Sequence, residues 1–124
     1  MSKVNTQQIG QVAENIACSY LIKQGLKLVS RNFQCRLGEI DLIMQDKEHL
    51  VFVEVRFRRN QHFGTSSETV TLHKQSKLLR TASFYLQQKH LTDKIPCRFD
   101  VIAIADTATQ SNINWIKNAF STFS

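Results

Sequence analysis

Hydrophobic residues follow a helical period in two long stretches of the chain. In residues 6–24, apolar side chains recur at spacings of three and four, as on the buried face of an amphipathic helix. Residues 69–89 show the same period, with leucine, alanine and tyrosine on one face. Gly25 follows the first stretch, at the position where a left-handed helix cap favours glycine. The pattern therefore predicts two long helices.

Five shorter stretches have the composition of β-strands, with β-branched and aromatic residues either alternating with polar ones or forming apolar runs. The predicted strands span residues 26–34, 39–45, 50–58, 98–105 and, as a short final strand, 113–116. The polar residues 46–49 lie between the second and third strands and favour the tight turn of an antiparallel hairpin. Residues 60–67 contain Gly64 and small polar side chains, which predicts a loop.

The order of these elements predicts an α/β fold with a central mixed β-sheet flanked by two long helices. A chain of 124 residues has room for one hydrophobic core, so residues 1–124 are expected to form a single domain. Apolar residues make up 42% of the chain and charged residues 21%, a balance that excludes a wholly disordered polymer.

The sequence has no apolar run of the about 20 residues that a membrane-spanning helix needs, and its first residues lack the apolar stretch of a secretory signal. We therefore expect a cytoplasmic protein with no membrane partner. Cys18, Cys35 and Cys97 are widely spaced and odd in number, which predicts reduced thiols in or near the core rather than disulfides or a zinc site.

The charge balance favours a polyanionic partner. Sixteen lysines and arginines face ten aspartates and glutamates, giving a formal net charge of +6. Such an excess promotes binding to nucleic acid through neutralised phosphates and released counterions. Many small basic proteins bind nothing specific, so the position of the charges matters more than their total.

Two acidic residues interrupt the apolar runs of the predicted hairpin. Asp41 lies within IDLI and Glu54 within FVEV, where strands favour apolar side chains. If the turn is centred between Lys47 and Glu48, Asp41 lies opposite Glu54 on one face of the hairpin. Arg56 projects from that face too, because strand side chains alternate with period two.

Such a group suits a divalent metal ion beside a fixed cation, the parts needed to polarise a phosphodiester. The alternative is an Asp, Arg and Glu ion-pair cluster on a half-exposed sheet, which spacing alone favours equally.

The hairpin resembles the core of the PD-(D/E)XK nucleases, and the chain as a whole is similar to the YraN-type family of small bacterial proteins. The similarity runs from Gly10, Glu14 and Ala17 through GEIDLI, FVEVR, Phe63-Gly64 and Lys74 to RFDV at residues 98–101. The resemblance implies a restriction-endonuclease-like fold related to archaeal Holliday-junction resolvases.

The resemblance also implies a Mg²⁺ or Mn²⁺ site formed by Asp41 and Glu54, with Glu14 as a further acidic ligand from the first helix. A solvated glutamate on the helix surface is the alternative for Glu14. The nuclease motif usually ends in lysine, and here Arg56 stands in its place. Arginine clamps a phosphate but stays protonated, so this difference weakens the case for cleavage more than the case for binding.

Basic residues near the acids are the candidates for binding DNA. Arg56 and Arg58 lie at the exit of the hairpin, and Lys74, Lys77 and Arg80 recur every three residues along the second helix. Lys74 matches a lysine of the family and borders the apolar face. Phe84 projects beside Lys77 and is a candidate for stacking on a base, or for burial under another segment.

Three functions follow from these observations. The first is a metal-dependent endonuclease-like protein acting on DNA phosphodiesters, especially branched DNA, with Arg56 on the scissile phosphate. The second is a catalytically inactive nucleic-acid-binding or repair-accessory module of the same fold. The third is a partner-binding domain that uses exposed apolar residues, namely Phe57, Phe63, Phe120 and Phe123. The sequence leaves the oligomeric state open.

Overall fold

The computed structural model describes residues 6–58, 70–106 and 111–120. It contains two helices and five strands in the predicted order, and the elements are α1 (Thr6–Lys23), β1 (Lys27–Cys35), β2 (Gly38–Asp46), β3 (His49–Arg58), α2 (Leu72–Gln88), β4 (Cys97–Asp106) and β5 (Ser111–Phe120). The predicted loop at residues 60–67 lies outside the described residues. Neither helix combines the length and the apolar character that crossing a membrane requires.

The five strands form one mixed sheet in the order β1-β2-β3-β4-β5. Neighbouring strands are antiparallel except β3 and β4, which are parallel. Parallel neighbours need a crossover connection, and α2 lies in the segment that joins these two strands. The predicted α/β class and mixed sheet are confirmed.

The sheet lies between the two helices, and each of its faces carries a separate core. Along β3, Val51 and Val53 pack in the core that contains α1, whereas Leu50 and Phe52 pack in the core that contains α2. This division follows from the alternation of side chains in a strand. Successive side chains of β3 therefore point alternately toward α1 and α2. Glu54 lies on the side of α2, where it contacts Lys74.

The helix cap and the hairpin turn form as their residues predict. Gly25 has φ +102°, and its N–H donates to the carbonyl of Ile22 at 3.0 Å, which ends α1. In the hairpin, Asp46 pairs with His49, so Lys47 and Glu48 make a two-residue turn in which Lys47 has a positive φ of 55°. The turn therefore sets the register of β2 against β3.

The last strand is longer than the sequence predicts. Instead of residues 113–116, β5 spans Ser111–Phe120 and pairs with β4 from Asp106↔Ser111 to Phe99↔Phe120, with an irregularity between Phe99 and Val101. Ile113 and Trp115 pack against the core under α1 while Asn112 and Asn114 are exposed, and backbone pairing with β4 extends the strand beyond residues 113–116 at both ends.

Two of the phenylalanines proposed for partner binding contribute to the cores. The ring of Phe120 stacks on Phe99 with centroids 4.8 Å apart, and Phe57 packs against the core under α1. Phe63 and Phe123 lie outside the described residues. The three cysteines are free thiols, with Cys18 buried and the other two partly buried, as predicted.

Asp100 of β4 is the centre of a buried polar network that includes residues of β2 and β5. Its carboxylate accepts hydrogen bonds from Arg98 Nε at 3.0 Å, Trp115 Nε1 at 2.9 Å and the backbone N–H of Asn118 at 2.9 Å. Arg98 Nη2 also donates to Asp46 at 2.8 Å. Every oxygen of Asp100 is therefore satisfied within the protein, which is the arrangement of a structural ion pair.

Candidate metal centre

The predicted hairpin register is confirmed where β2 and β3 pair. The pairs run from Leu42↔Val53 to Asp46↔His49, the register that a turn at Lys47 and Glu48 requires. Pairing stops at Leu42↔Val53, so Asp41 and Glu54 lie one residue beyond the last pair. The two acids are therefore brought to the point where the strands separate.

Asp41 and Glu54 were expected to lie opposite each other on one face of the hairpin, and they form no backbone pair in the structure. Ile40 packs in the core under α2 and Leu42 in the core under α1, although residues two apart in a regular strand share a face. The strand β2 therefore turns about its axis at Asp41. Asp41 Oδ2 accepts a hydrogen bond from the backbone N–H of Val55 at 2.8 Å, where a continued ladder would place backbone groups.

The acids nevertheless meet in one cleft, which we call the acidic cleft. It has a volume of about 560 Å³ and lies between the two helices at the end of the hairpin. Its lining comes from α1, β2, β3 and α2 and comprises Ile9, Gly10, Ala13, Glu14, Glu39, Asp41, Glu54, Val55, Phe57 and Lys74. Of the residues predicted for a metal site, all three, Glu14, Asp41 and Glu54, line this cleft.

Three carboxyl groups in the cleft are close enough to share one cation. Oxygen atoms of Glu14, Glu39 and Asp41 lie within 4.8 Å of one another. Glu14 comes from α1, as the resemblance to the resolvases implies, whereas Glu39 was not among the ligands predicted from the sequence. The sequence signal for Glu39 is its position two residues before Asp41 in β2, since such residues tend to project to the same side of a strand.

Crowding of the acids changes their protonation. Burial, followed by the repulsion of Glu54, raises the pKa of Asp41 to about 7, although the Val55 N–H opposes the shift. Burial also raises the pKa of Glu14, against the hydrogen bond from Asn32 and the charge of Arg31, whose Nη2 lies 3.8 Å from Glu14 Oε1. Without a cation, the cleft therefore holds protons at a pH where exposed carboxyl groups have lost them.

A lysine from α2 contacts the fourth acid. Lys74 Nζ lies 3.1 Å from Glu54 Oε2, and the side chains are 47% and 10% exposed. Lys74 belongs to the first turn of α2, where its N–H donates to the side chain of the N-cap residue Thr71. Helix α2 thus places the positive charge of Lys74 beside Glu54, and the half-exposed lysine side chain lines the acidic cleft.

The other predicted DNA-binding residues have different positions. Arg56 is partly buried and pairs with Ala103 of β4, two residues beyond Glu54 on the same strand. Lys77 lines a second cleft, described below, and Arg80 is exposed and lines neither of these two clefts. The side chain of Arg58 lies outside the described part of the chain. Phe84 is partly buried, with its ring 6.3 Å from that of Phe33, so it is covered by another segment.

The second cleft adjoins the acidic cleft and has a volume of about 420 Å³. We call it the neighbouring cleft. It is lined by Gln34, Cys35, Gly38, Glu39, Lys74, Lys77, Leu78 and Thr81. Glu39 and Lys74 line both clefts, so the two spaces share one border.

Comparison with known proteins identifies one family. The family model described as "Uncharacterised protein family UPF0102" matches residues 13–104. A UPF0102 protein of Nitrosococcus oceani is 49% identical over 111 residues, covering 90% of each chain, and one of Coxiella burnetii is 52% identical over 114 residues, covering 92% of each. A UPF0102 protein of Vibrio parahaemolyticus is 46% identical over 121 residues, or 98% of each chain. These matches confirm the resemblance to the YraN-type family.

Proposed function

The chain belongs to the UPF0102 family, and we propose that it is a divalent-metal-dependent endonuclease of the PD-(D/E)XK type that cleaves DNA phosphodiesters. The observation that carries the proposal is the convergence of Glu14, Glu39 and Asp41 within 4.8 Å, in a cleft that Glu54 also lines. Like charges placed together in a folded protein cost stability unless a cation or protons neutralise them. A group of acids whose mutual repulsion lowers the stability of the fold is therefore a candidate functional site.

The donor set fits Mg²⁺ or Mn²⁺. Both ions favour carboxylate oxygens, and the ligands Glu14, Glu39 and Asp41 come from two elements that the fold holds together. Glu54 is the fourth carboxyl group of the cleft and lies against Lys74. When bound, the ion acts as a Lewis acid on a phosphoryl oxygen.

Two basic residues of this chain place the phosphate in the proposed reaction. Lys74 is far more exposed than Glu54, so its ammonium group reaches a phosphate at the mouth of the cleft while Glu54 keeps it in position. Arg56 does not line the acidic cleft, so in the proposed reaction its permanent charge supports phosphate binding from β3, two residues beyond Glu54, and it does not act as a base. Lys74 therefore brings an amine to 3.1 Å from one of the acids, Glu54.

Branched DNA is the substrate that the resemblance to archaeal Holliday-junction resolvases favours. The charges of the described residues suit any nucleic-acid backbone, because phosphate contacts carry no information about sequence. The choice among linear and branched DNA is therefore left to experiment.

The same geometry supports a second function, a nucleic-acid-binding or repair-accessory module without turnover. The observation in its favour is Arg56 at the position of the usual lysine, which removes a group able to accept a proton from water. In this case the acids and Lys74 hold a cation and a phosphate but do not cleave it.

The test is a titration with Mn²⁺ followed by a panel of labelled DNAs. Wild type, Asp41→Asn and Glu54→Gln are compared by calorimetry and then with linear, nicked and four-way-junction DNA. The matched control is Asp93→Asn, which removes one exposed carboxylate at a position of positive φ that asparagine tolerates. We expect cleavage by wild type and the control, with a loss of at least about a hundredfold in the two site variants.

Cleavage that persists in a chelator, or full activity in Asp41→Asn, contradicts the proposed enzyme. Binding of DNA by wild type with no cleavage in Mg²⁺ or Mn²⁺ selects the accessory module instead.

A further inference from the structure

We propose that the neighbouring cleft is a subsite for the phosphate adjacent to the one bound at the acidic cleft, with Lys77 as its cation. The substrate is then a polynucleotide strand with at least two successive phosphates, rather than an isolated phosphodiester. This inference rests on the proposed function, since it extends the binding site of the same reaction.

The two clefts are continuous. Lys74 and Glu39 line both, so a chain that leaves the acidic cleft past Lys74 enters the neighbouring cleft directly. Glu39 lies on the border, beside the other acids, where the cation of the proposed function neutralises it. The remaining polar lining includes Gln34 and Lys77, and the second of these carries the positive charge that a phosphate requires.

The second argument is the spacing of the two lysines. Lys74 and Lys77 are three residues apart on α2, which places their Cβ atoms about 5–6 Å apart on one side of the helix. Both side chains are exposed at their clefts. This distance allows each ammonium group to contact a different phosphate of one strand. A single phosphate at Lys74 would leave Lys77 without a role in binding.

The third argument is the close contact that forms the floor of the neighbouring cleft. A Cβ atom added at Gly38 would lie 2.7 Å from Thr81 Oγ1, so glycine is required for the turn between β1 and β2 to approach α2 this closely. The Thr81 hydroxyl in turn donates to the carbonyl of Lys77 at 2.8 Å. The start of β2 therefore lies against the turn of α2 that carries Lys77, and this contact forms the floor of the neighbouring cleft.

The experiment measures binding and cleavage separately. Binding of a fluorescein-labelled oligothymidylate is followed by anisotropy with Ca²⁺ in place of Mn²⁺, so that the acids are neutralised, at several NaCl concentrations, for wild type, Lys77→Ala and Lys77→Arg. The control Lys94→Ala removes the same charge from an exposed residue that lines neither cleft. Cleavage of the oligonucleotide with Mn²⁺ is then compared with hydrolysis of bis(4-nitrophenyl) phosphate, which has one phosphate.

We expect Lys77→Ala to weaken binding about fivefold and to lower the salt slope by about 1, while Lys77→Arg retains most of the affinity. The loss of cleavage in Lys77→Ala should be at least about fivefold larger for the oligonucleotide than for the small diester. Equal weakening by Lys77→Ala and Lys94→Ala overturns the subsite, as do equal losses on the two substrates or a wild type that does not bind the oligonucleotide.

The proposed function fails separately. Its test is hydrolysis of the small diester by wild type with Mn²⁺ and the loss of that hydrolysis in Asp41→Asn, neither of which depends on Lys77. A wild type that binds the oligonucleotide through Lys77 but hydrolyses neither substrate supports the subsite and rejects the nuclease.

Discussion

Asp41 of β2 accepts a hydrogen bond from the backbone N–H of Val55 in β3 at 2.8 Å, one residue beyond the last pair of the hairpin ladder. A side chain thus takes the place of a backbone acceptor where the two strands separate. The bond holds the carboxyl group inside the cleft, where burial and then the charges of Glu54 and Glu14 raise its pKa. Asp41 therefore affects both the stability of the protein and its proposed metal site.

The first prediction is that Asp41→Asn stabilises the metal-free protein at pH 8. The folded state raises the pKa of Asp41 from 3.8 to about 7, so the folded chain binds this proton more tightly than the unfolded chain. Stability should fall as the pH rises from about 4 to about 7 and should be level above that, because only the folded state still takes up a proton in this range. Asparagine removes the cost, and we expect a gain on the order of 2 kcal/mol in urea unfolding at pH 8.

The control for this prediction is the same measurement at pH 4, where the gain should almost disappear. Asparagine keeps an acceptor for the Val55 N–H, so a loss of stability at pH 8 would contradict the raised pKa of Asp41. Addition of Mn²⁺ should stabilise wild type and leave Asp41→Asn unchanged.

The second prediction concerns the pH dependence of metal binding. A cation has to displace the proton of Asp41, so the affinity for Mn²⁺ should rise about tenfold per pH unit up to about pH 7 and level off above it. Burial also raises the pKa of Glu14, so release of its proton makes the pH dependence steeper. Calorimetry in two buffers of different ionisation enthalpy counts the released protons. A Mn²⁺ affinity that is constant from pH 5 to 8 would exclude Asp41 as a ligand.

The third prediction contrasts Asp41 with Asp100, a second buried aspartate. Asp100 accepts hydrogen bonds from Arg98, Trp115 and the Asn118 backbone. In Asp100→Asn an NH₂ group replaces one carboxylate oxygen, so it faces a donor, and Arg98 loses its charged partner. We expect a loss of about 3 kcal/mol in the free energy of unfolding, with Mn²⁺ affinity unchanged below the transition. Circular dichroism with urea gives the first quantity and calorimetry the second. Reduced Mn²⁺ affinity in folded Asp100→Asn would show that the network reaches the acidic cleft.

The fourth prediction is a steric coupling between Gly38 and Thr81. Gly38→Ala places a methyl group 2.7 Å from Thr81 Oγ1 and also strains a backbone at φ +155°, so it should cost about 2 kcal/mol. Thr81→Ala removes the clash but not the strain, so the double variant should recover about 1 kcal/mol relative to the sum of the single changes. A double-mutant cycle from urea unfolding measures this energy, and strict additivity would show that the two elements are not in contact.

The sequence predicts most of the fold because its signals are local. The helical period of residues 6–24 and 69–89, the cap at Gly25 and the turn at Lys47 and Glu48 depend on neighbouring residues and are all present in the structure. The final strand is the exception. Backbone pairing with β4 extends it to ten residues, beyond the predicted residues 113–116 at both ends.

The sequence by itself determined which acids are available and the register that brings Asp41 and Glu54 to the end of the hairpin, because a two-residue turn sets the pairing of the strands that it joins. The tertiary structure decided that Glu14 of α1 joins Glu39 and Asp41 of β2, and that Lys74 of α2 contacts Glu54. These contacts depend on the rotation of β2 at Asp41 and on the packing of a helix against each face of the sheet. Such contacts join residues far apart in the chain, and only the folded core brings them within the range of a hydrogen bond or a shared cation.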